Sequence, residues 1–244
     1  MRIEIATNHE QMSRRAAARI ARELRRRPGL LMGVVTGASP TRAYRRLAEA
    51  RRREPALFRR LRVLKLDEWL GLPLRHPATS ESYVRKEILG PFGVPRSRYQ
   101  GFRSRPRDPA AECARMARWL ERHGPLDVCV LGLGRNGHVL MNEPAAALPP
   151  GPHRARLAAS TRRHSMLQGL KTPPRYGLTM GLADILRSRT ILLLVSGRPK
   201  SAALRRMLSG AVTTRCPASF LWLHADVTVY CDREAARALG TGGR

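Results

Sequence analysis

Aromatic residues are scarce in this chain of 244 residues, at 5% of the total, so its core has to be built from Leu, Val, Ala and Ile. Lysine is rarer still. Lys65, Lys86, Lys171 and Lys200 are the only four, and the rest of the 46 basic residues are arginine. Four cysteines occur (Cys113, Cys129, Cys216, Cys231), with no C-x-x-C pair. That spacing argues against a zinc site or a disulfide framework and predicts a reduced, cytoplasmic setting. No segment approaches the ~18 uninterrupted apolar residues of a membrane span, and MRIEIATNHE lacks the apolar stretch of a secretory signal. A soluble, non-membrane protein is expected.

What is present points to a globular chain, with 43% hydrophobic and 26% charged residues. The length suits one α/β domain with a large core. A formal charge of +28 first suggests nucleic acid. The arginines, however, are spread along expected helix surfaces, as in RRAAARIARELRRR, RRLAEARRR and RSRPRD, without interleaved aromatics. We read them as solvated faces and expect no specific nucleic-acid partner, only incidental polyanion binding at low salt.

Hydrophobic periodicity gives an alternation of strands and helices. An amphipathic helix is predicted from Asn8 to Arg27, stopped by Pro28-Gly29. LLMGVV (30–35) reads as a buried strand, TGASP (36–40) as a turn, and TRAYRRLAEARRR as a helix. LRVLKL (61–66) is a second strand. The Pro- and Arg-rich stretch 76–107 carries a helical core near SYVRKEIL. A helix over 109–124, a strand over 126–134 and a loop at PPGPH (149–153) follow. GLTMGLADILR reads as helical, TILLLVSG (190–197) as a buried strand, PKSAALRRMLSG as a helix and DVTVYCD as a last strand. The pattern predicts a mostly parallel sheet with helices on both faces. No internal repeat or linker appears, so one domain is expected over 1–244.

In such sheets ligands bind beyond the carboxyl ends of the strands. Four strand ends therefore matter. TGASPTRAY offers Gly37, small Ala38 and Ser39, and a helix N-terminus suited to an anion. LKLDEW ends in Asp67 and Glu68. Adjacent residues of an extended chain face opposite ways, so one can face a ligand while the other caps a helix or forms a salt bridge. GLGRNGHVLMNEP places His138 and Glu143 across a glycine turn, close enough for a carboxylate to fix an imidazole tautomer. Little basic charge flanks that pair in the sequence. A structural histidine bonded to a backbone carbonyl is the plainer reading, and the glycine turn and nearby acid argue against it. GLGRNG is an incomplete dinucleotide fingerprint: its last glycine falls early, and no acid follows at the required distance. SGRPK sets Lys200 at a helix start, where it can meet a phosphate as a point charge.

These motifs, with RYGLTMGLADIL and CPASFLWLH, follow the order found in the glucosamine/galactosamine-6-phosphate deaminase/isomerase family. The chain resembles that family from about Gly33 to Asp232. VLKLDEWLGLPL, RRHSML and PASFLWLH look most like its galactosamine-6-phosphate isomerase branch. The resemblance implies an NagB-like fold, a Rossmann-type three-layer α/β sandwich. It also implies conversion of a hexosamine 6-phosphate and water to a ketohexose 6-phosphate and ammonia, with no cofactor and no metal. Asp67 then matches the base that moves a proton between C2 and C1, and His138 the ring-opening acid/base with Asn136 and Glu143 as its partners. Thr36, Gly37, Ala38, Ser39 and Lys200 match the phosphate site, with Glu68, Arg163 and His164 as further substrate contacts. The family's phosphate-binding arginine aligns near His164, between which and Arg162 or Arg163 the sequence does not choose. Some relatives carry aspartate where Asn136 stands, so control of the histidine falls more on Glu143. The allosteric residues of some members are not recognisable in PPGPHRARL, so no such regulation is expected.

Two alternatives stay open on sequence grounds. One is a 6-phosphogluconolactonase-like lactone hydrolase, though lactonases lack the NEP seen here. The other is a non-catalytic sugar-phosphate or polyanion binder, which has no use for a proton shuttle. The sequence does not separate gluco from galacto substrates. It leaves oligomeric state open, and a homo-oligomer is within the family's range.

Overall fold

Asn8 starts the first helix by accepting the Gln11 N–H at 2.9 Å, satisfying one of the donors a helix N-terminus leaves free. Met12, Ala16, Ile20 and Leu24 then recur every four residues and bury one stripe of this helix, α1 (His9–Arg26). The computed structural model describes residues 1–239. The strands are β1 (Arg2–Ala6), β2 (Leu31–Val34), β3 (Arg62–Lys65), β4 (Asp67–Trp69), β5 (Tyr99–Gly101), β6 (Val128–Gly132), β7 (His153–Arg156), β8 (Tyr176–Thr179), β9 (Thr190–Val195) and β10 (Val227–Asp232). The remaining helices are α2 (Ala38–Arg53), α3 (Ser80–Val84), α4 (Gly90–Phe92), α5 (Pro109–His123), α6 (Ala159–Arg162), α7 (Leu182–Leu186), α8 (Ser201–Met207) and α9 (Arg233–Ala236).

Seven strands form a parallel sheet in the order β1-β10-β9-β6-β2-β3-β5. The central strands are apolar on both sides, as a sheet covered on both faces requires. Leu192 and Leu194 of β9 enter a core with α1, α2 and the 84–92 segment. Ile191, Leu193 and Val195 enter the opposite core with α5, α7 and α8. This is the three-layer α/β sandwich expected from the sequence.

A second, three-stranded antiparallel sheet, β4-β8-β7, was not expected. It corrects the reading of GLTMGLADILR as one helix: Tyr176–Thr179 is strand β8, and only Leu182–Leu186 is helical. Short apolar runs fit both periods, and here pairing to β4 and β7 decided. The PPGPH loop likewise gives way to strand at His153. β1 and β5 also went unread. They are short edge strands, and RIEIA buries only one residue fully, so its pattern carries little signal.

The backbone passes from one sheet to the other at Leu66, while Leu178 of β8 packs into the core beneath the large sheet. Leu66 donates its N–H to Val34 O of the large sheet at 3.1 Å, and its carbonyl accepts the Met180 N–H beside the small sheet at 3.0 Å. The chain thus leaves β3 and enters β4 between Lys65 and Asp67. The order of strands reverses between β2 and β6, and the crevice beyond their carboxyl ends is the place where such sheets hold ligands.

Candidate active site

The turn after β2 needs Gly37, whose φ of +120° is outside the range side-chain-bearing residues adopt readily. No side chain caps α2 there, so its first N–H groups stay free to meet an anion. Ser39 Oγ accepts the Ser196 N–H at 3.2 Å, which ties the β2 loop to the β9 loop. Lys200 follows β9 and donates to Leu133 O at 2.6 Å. Burial and the nearby Arg135 charge bring the Lys200 ammonium down to about 8. Thr36, Gly37, Ala38, Ser39, Ser196 and Lys200 all line one cavity of about 390 Å³. Two loops and a cation so converge on one corner of the cavity.

Asp67 opens β4 and lines the same cavity, at 6% exposure. Its Oδ1 has no hydrogen-bond partner. Burial, then the charge of Glu68, raise its carboxyl to about 7, while Lys65 pulls the other way. A carboxylate poised there can both take and return a proton near neutral pH.

Glu68 turns to the other side, as the alternation of an extended chain requires. The expected substrate contact is therefore corrected: Glu68 is absent from the cavity wall and has 0% exposure. Its Oε1 accepts the Trp69 and Ser80 N–H groups at 2.9 and 2.8 Å. Its Oε2 accepts the Glu81 N–H at 2.8 Å and Lys65 Nζ at 2.5 Å. It caps α3 and pairs with a buried lysine.

The β6 end forms the glycine turn. Gly134 N–H donates to His138 O at 2.8 Å and Gly137, at φ +91°, closes the loop. A Cβ on Gly134 would stand 2.4 Å from the imidazole, so the ring packs directly over that glycine. His138 Nδ1 lies 3.3 Å from Glu143 Oε2. Asn136 joins the two: its Nδ2 donates to Glu143 Oε2 at 2.7 Å, and its Oδ1 accepts the His138 N–H at 3.2 Å. Ala158 N–H donates to Glu143 Oε1 at 3.1 Å. Burial alone would raise the Glu143 carboxyl, but its bonds to His138 and Asn136 outweigh it and hold it at about 2. Glu143 is thus a fixed negative charge behind the ring. His138 reaches the cavity wall; Asn136 and Glu143 stand behind it.

Arg163 and His164 line the cavity, and Arg162 is absent from its wall. Burial, followed by the Lys200 and His138 charges, lowers the His164 imidazole below its usual value. The low basic density expected around His138 is corrected by Arg135, Arg163 and Lys200, all on the same cavity. Sequence reasoning missed Trp69, Ser160, Thr161, Ser165 and Gln168 on the wall. Trp69 stacks obliquely near His164, with ring centroids 5.9 Å apart, and its place two residues after Asp67, on the same side of β4, was the one available signal. Among the described residues no group of three or more His, Cys, Asp or Glu is arranged to hold a metal ion.

Fold and cavity together define a class: a Rossmann-type α/β protein whose cavity brings a buried carboxylate and a carboxylate-paired histidine beside a helix N-terminus and a lysine. The chain belongs to the glucosamine-6-phosphate isomerase/6-phosphogluconolactonase family, whose sequence profile matches residues 6–230. It is 40% identical over 219 residues to the Escherichia coli K12 protein named "Putative deaminase AgaI", covering 90% of this chain and 87% of that one. It is 35% identical over 237 residues to the glucosamine-6-phosphate deaminase of Geobacillus sp. WCH70, covering 96% and 94%. Among solved structures, a monomeric glucosamine-6-phosphate deaminase of the NagB superfamily superposes with TM-score 0.94 at 33% identity, covering 98% of this chain and all of that one. The 6-phosphogluconolactonase of Trypanosoma brucei shares the fold at TM-score 0.76 and 18% identity, covering 98% of each chain.

Proposed function

We propose that this chain is an amino-sugar 6-phosphate deaminase/isomerase, converting galactosamine 6-phosphate or glucosamine 6-phosphate and water to a ketohexose 6-phosphate and ammonia. The observation that carries this reading is Asp67: a buried carboxylate with an unpartnered oxygen, on the same cavity as His138 and the anion corner. Moving a proton between adjacent carbons needs one base over one face of an open-chain sugar, and Asp67 fits that role. Opening the pyranose needs a second acid/base at the ring oxygens, which falls to His138, with Glu143 and Asn136 setting its tautomer. The 36–39 turn and Lys200 hold the phosphate, and Arg163 and His164 close over the substrate. That remote anchor converts binding energy into orientation of C1 and C2.

The relatives that share 30% identity or more support deamination over lactone hydrolysis, as does the Glu143 carboxylate held on His138. The VLKLDEWLGLPL, RRHSML and PASFLWLH stretches look most like the galactosamine-6-phosphate branch, but no residue on the cavity is assigned to read the C4 hydroxyl, so either sugar stays a candidate substrate. Four buried, unpaired thiols suit the cytoplasmic setting that completes this reading.

The test is ammonia release from purified protein, with galactosamine 6-phosphate and glucosamine 6-phosphate in parallel and Asp67→Asn as control. Release that disappears in the variant is the expected result, and the faster sugar names the branch. Silence with both sugars, together with hydrolysis of 6-phosphogluconolactone, would replace the deaminase reading with the lactonase one.

A further inference from the structure

Directly behind Asp67 lies a buried group of charges that the reaction itself does not use. Lys65, the last residue of β3, has 0% exposure. Its ammonium bonds Glu68 Oε2 at 2.5 Å and Glu81 Oε2 at 3.1 Å. The same Glu81 oxygen accepts the Tyr99 hydroxyl at 2.5 Å, and Glu81 Oε1 accepts Arg85 Nε at 2.8 Å. Gly101 of β5 makes room for the lysine stem, since a Cβ there would lie 2.8 Å from Lys65 Cε. The cluster thus joins β3, β4, β5 and α3 at the point where the chain changes sheets.

Burying an ion pair is costly, and replacing it with apolar residues is often neutral or stabilising. Stability alone is therefore a weak reason for this cluster. Its position suggests a better one. Glu68 and Lys65 flank Asp67 within two residues along the chain, and they act on it with opposite signs.

We propose that Lys65, Glu68, Glu81 and Tyr99 are positioning residues for Asp67: they fix its place on the cavity wall and balance the charge behind it. With Lys65 and Glu68 both present their effects on Asp67 oppose each other, and burial is the larger influence. Either charge alone tilts that balance. The other titratable groups around Asp67 are Tyr44, hydrogen-bonded at the end of β2, and, across the cavity, His138, His164, Arg135, Arg163 and Lys200. None of these stands on the Glu68 side. The catalytic meaning of the cluster rests on the deaminase/isomerase reading, whereas its effect on Asp67 does not.

The test follows Asp67 directly, by the carboxyl carbon signal of aspartate-labelled protein titrated with pH. Asp67→Asn identifies the resonance by its loss. Lys65→Met leaves Glu68 charged, because three backbone N–H donors still hold it, and the Asp67 midpoint should rise by about one pH unit. Glu68→Gln leaves Lys65 paired with Glu81, and the midpoint should fall by about as much. The double variant, with neither charge, should return near the wild-type midpoint. Glu81→Gln, less buried than Glu68, should repeat the fall on a smaller scale and keeps the test open if the other variants do not fold. The acid limb of kcat/KM should track each midpoint. Midpoints that stay fixed, or that all move the same way, would overturn the proposal. A silent ammonia assay with midpoints that move as described would overturn the reaction but not the cluster.

Discussion

Glu143 Oε2 sits 3.3 Å from His138 Nδ1 and takes a second bond, 2.7 Å, from Asn136. This directs the Nδ1 proton of a neutral ring toward Glu143 and leaves Nε2 as the second ring nitrogen, free of that pair. Glu143→Gln removes the charge but not the shape. We expect kcat to fall on the order of 10²-fold, the scale of one acid–base partner, with KM nearly unchanged. Steady-state kinetics on both sugars check this.

The same carboxylate has a consequence for acid stability. The folded state holds Glu143 at about 2, below its value in the unfolded chain. Its stabilising contribution is therefore complete above the unfolded value of about 4.3 and is lost as pH falls toward 2. Thermal melts of wild type and Glu143→Gln between pH 2.5 and 6 should converge at the acid end and separate above pH 4.5.

Asp67 behaves in the opposite sense. Its folded value of about 7 lies above that of the unfolded chain, so the fold is favoured at low pH and loses that advantage as pH rises toward 7. Asp67→Asn should melt higher than wild type at pH 8, on the order of 5 °C, since each kcal/mol is worth about 2–4 °C in a chain this long. A variant that is more stable and inactive marks a site whose charge is kept for its chemistry.

Burial, with the Arg135 charge nearby, brings the Lys200 ammonium down to about 8. Its charge, and with it part of the phosphate affinity, should fade above that pH. Lys200→Ala should raise KM roughly 10- to 100-fold, the worth of one charge-assisted bond, with a smaller effect on kcat. The KM-against-pH curve of the wild type should rise above pH 8 while that of the variant stays flat.

Gly134→Ala places a methyl group where the imidazole lies, 2.4 Å from its nearest atoms. Gly134 is not among the glycines held at positive φ, so the clash is with the ring rather than with the backbone conformation. We expect a folded protein with at least about 100-fold lower kcat, because small misplacement of a reacting group costs that much. Circular dichroism and kinetics on the same sample separate the two effects.

Much of this site is legible in the sequence because strand ends are. TGASP, LDEW, GRNGH and SGRPK each follow an apolar run, and a parallel sheet brings such ends together. The side of β4 that faces the cavity was legible only as an alternative. Alternation said that Asp67 and Glu68 diverge, and only the burial of Lys65 decided which carboxylate turns inward to the protein. The small sheet was not legible. Its strands are three or four residues long, and RYGLTM reads as helix or strand until a partner chooses. Thr161 comes to the cavity from the four-residue helix α6 and Gln168 from a turn, stretches too short to carry a period.

The passage of the backbone through Leu66, from the large sheet to the small one, bears on how this protein comes apart. Asp67 belongs to the small sheet and the anion corner to the large one. Any opening that separates the sheets removes the carboxylate from the substrate before the large sheet has lost a strand. Activity should then vanish in step with the first amide protons of β4 and β8 to exchange with solvent, ahead of the slow amides of β6 and β9. The enzyme would thus report its own partial unfolding, with catalysis failing while most of the secondary structure is still intact.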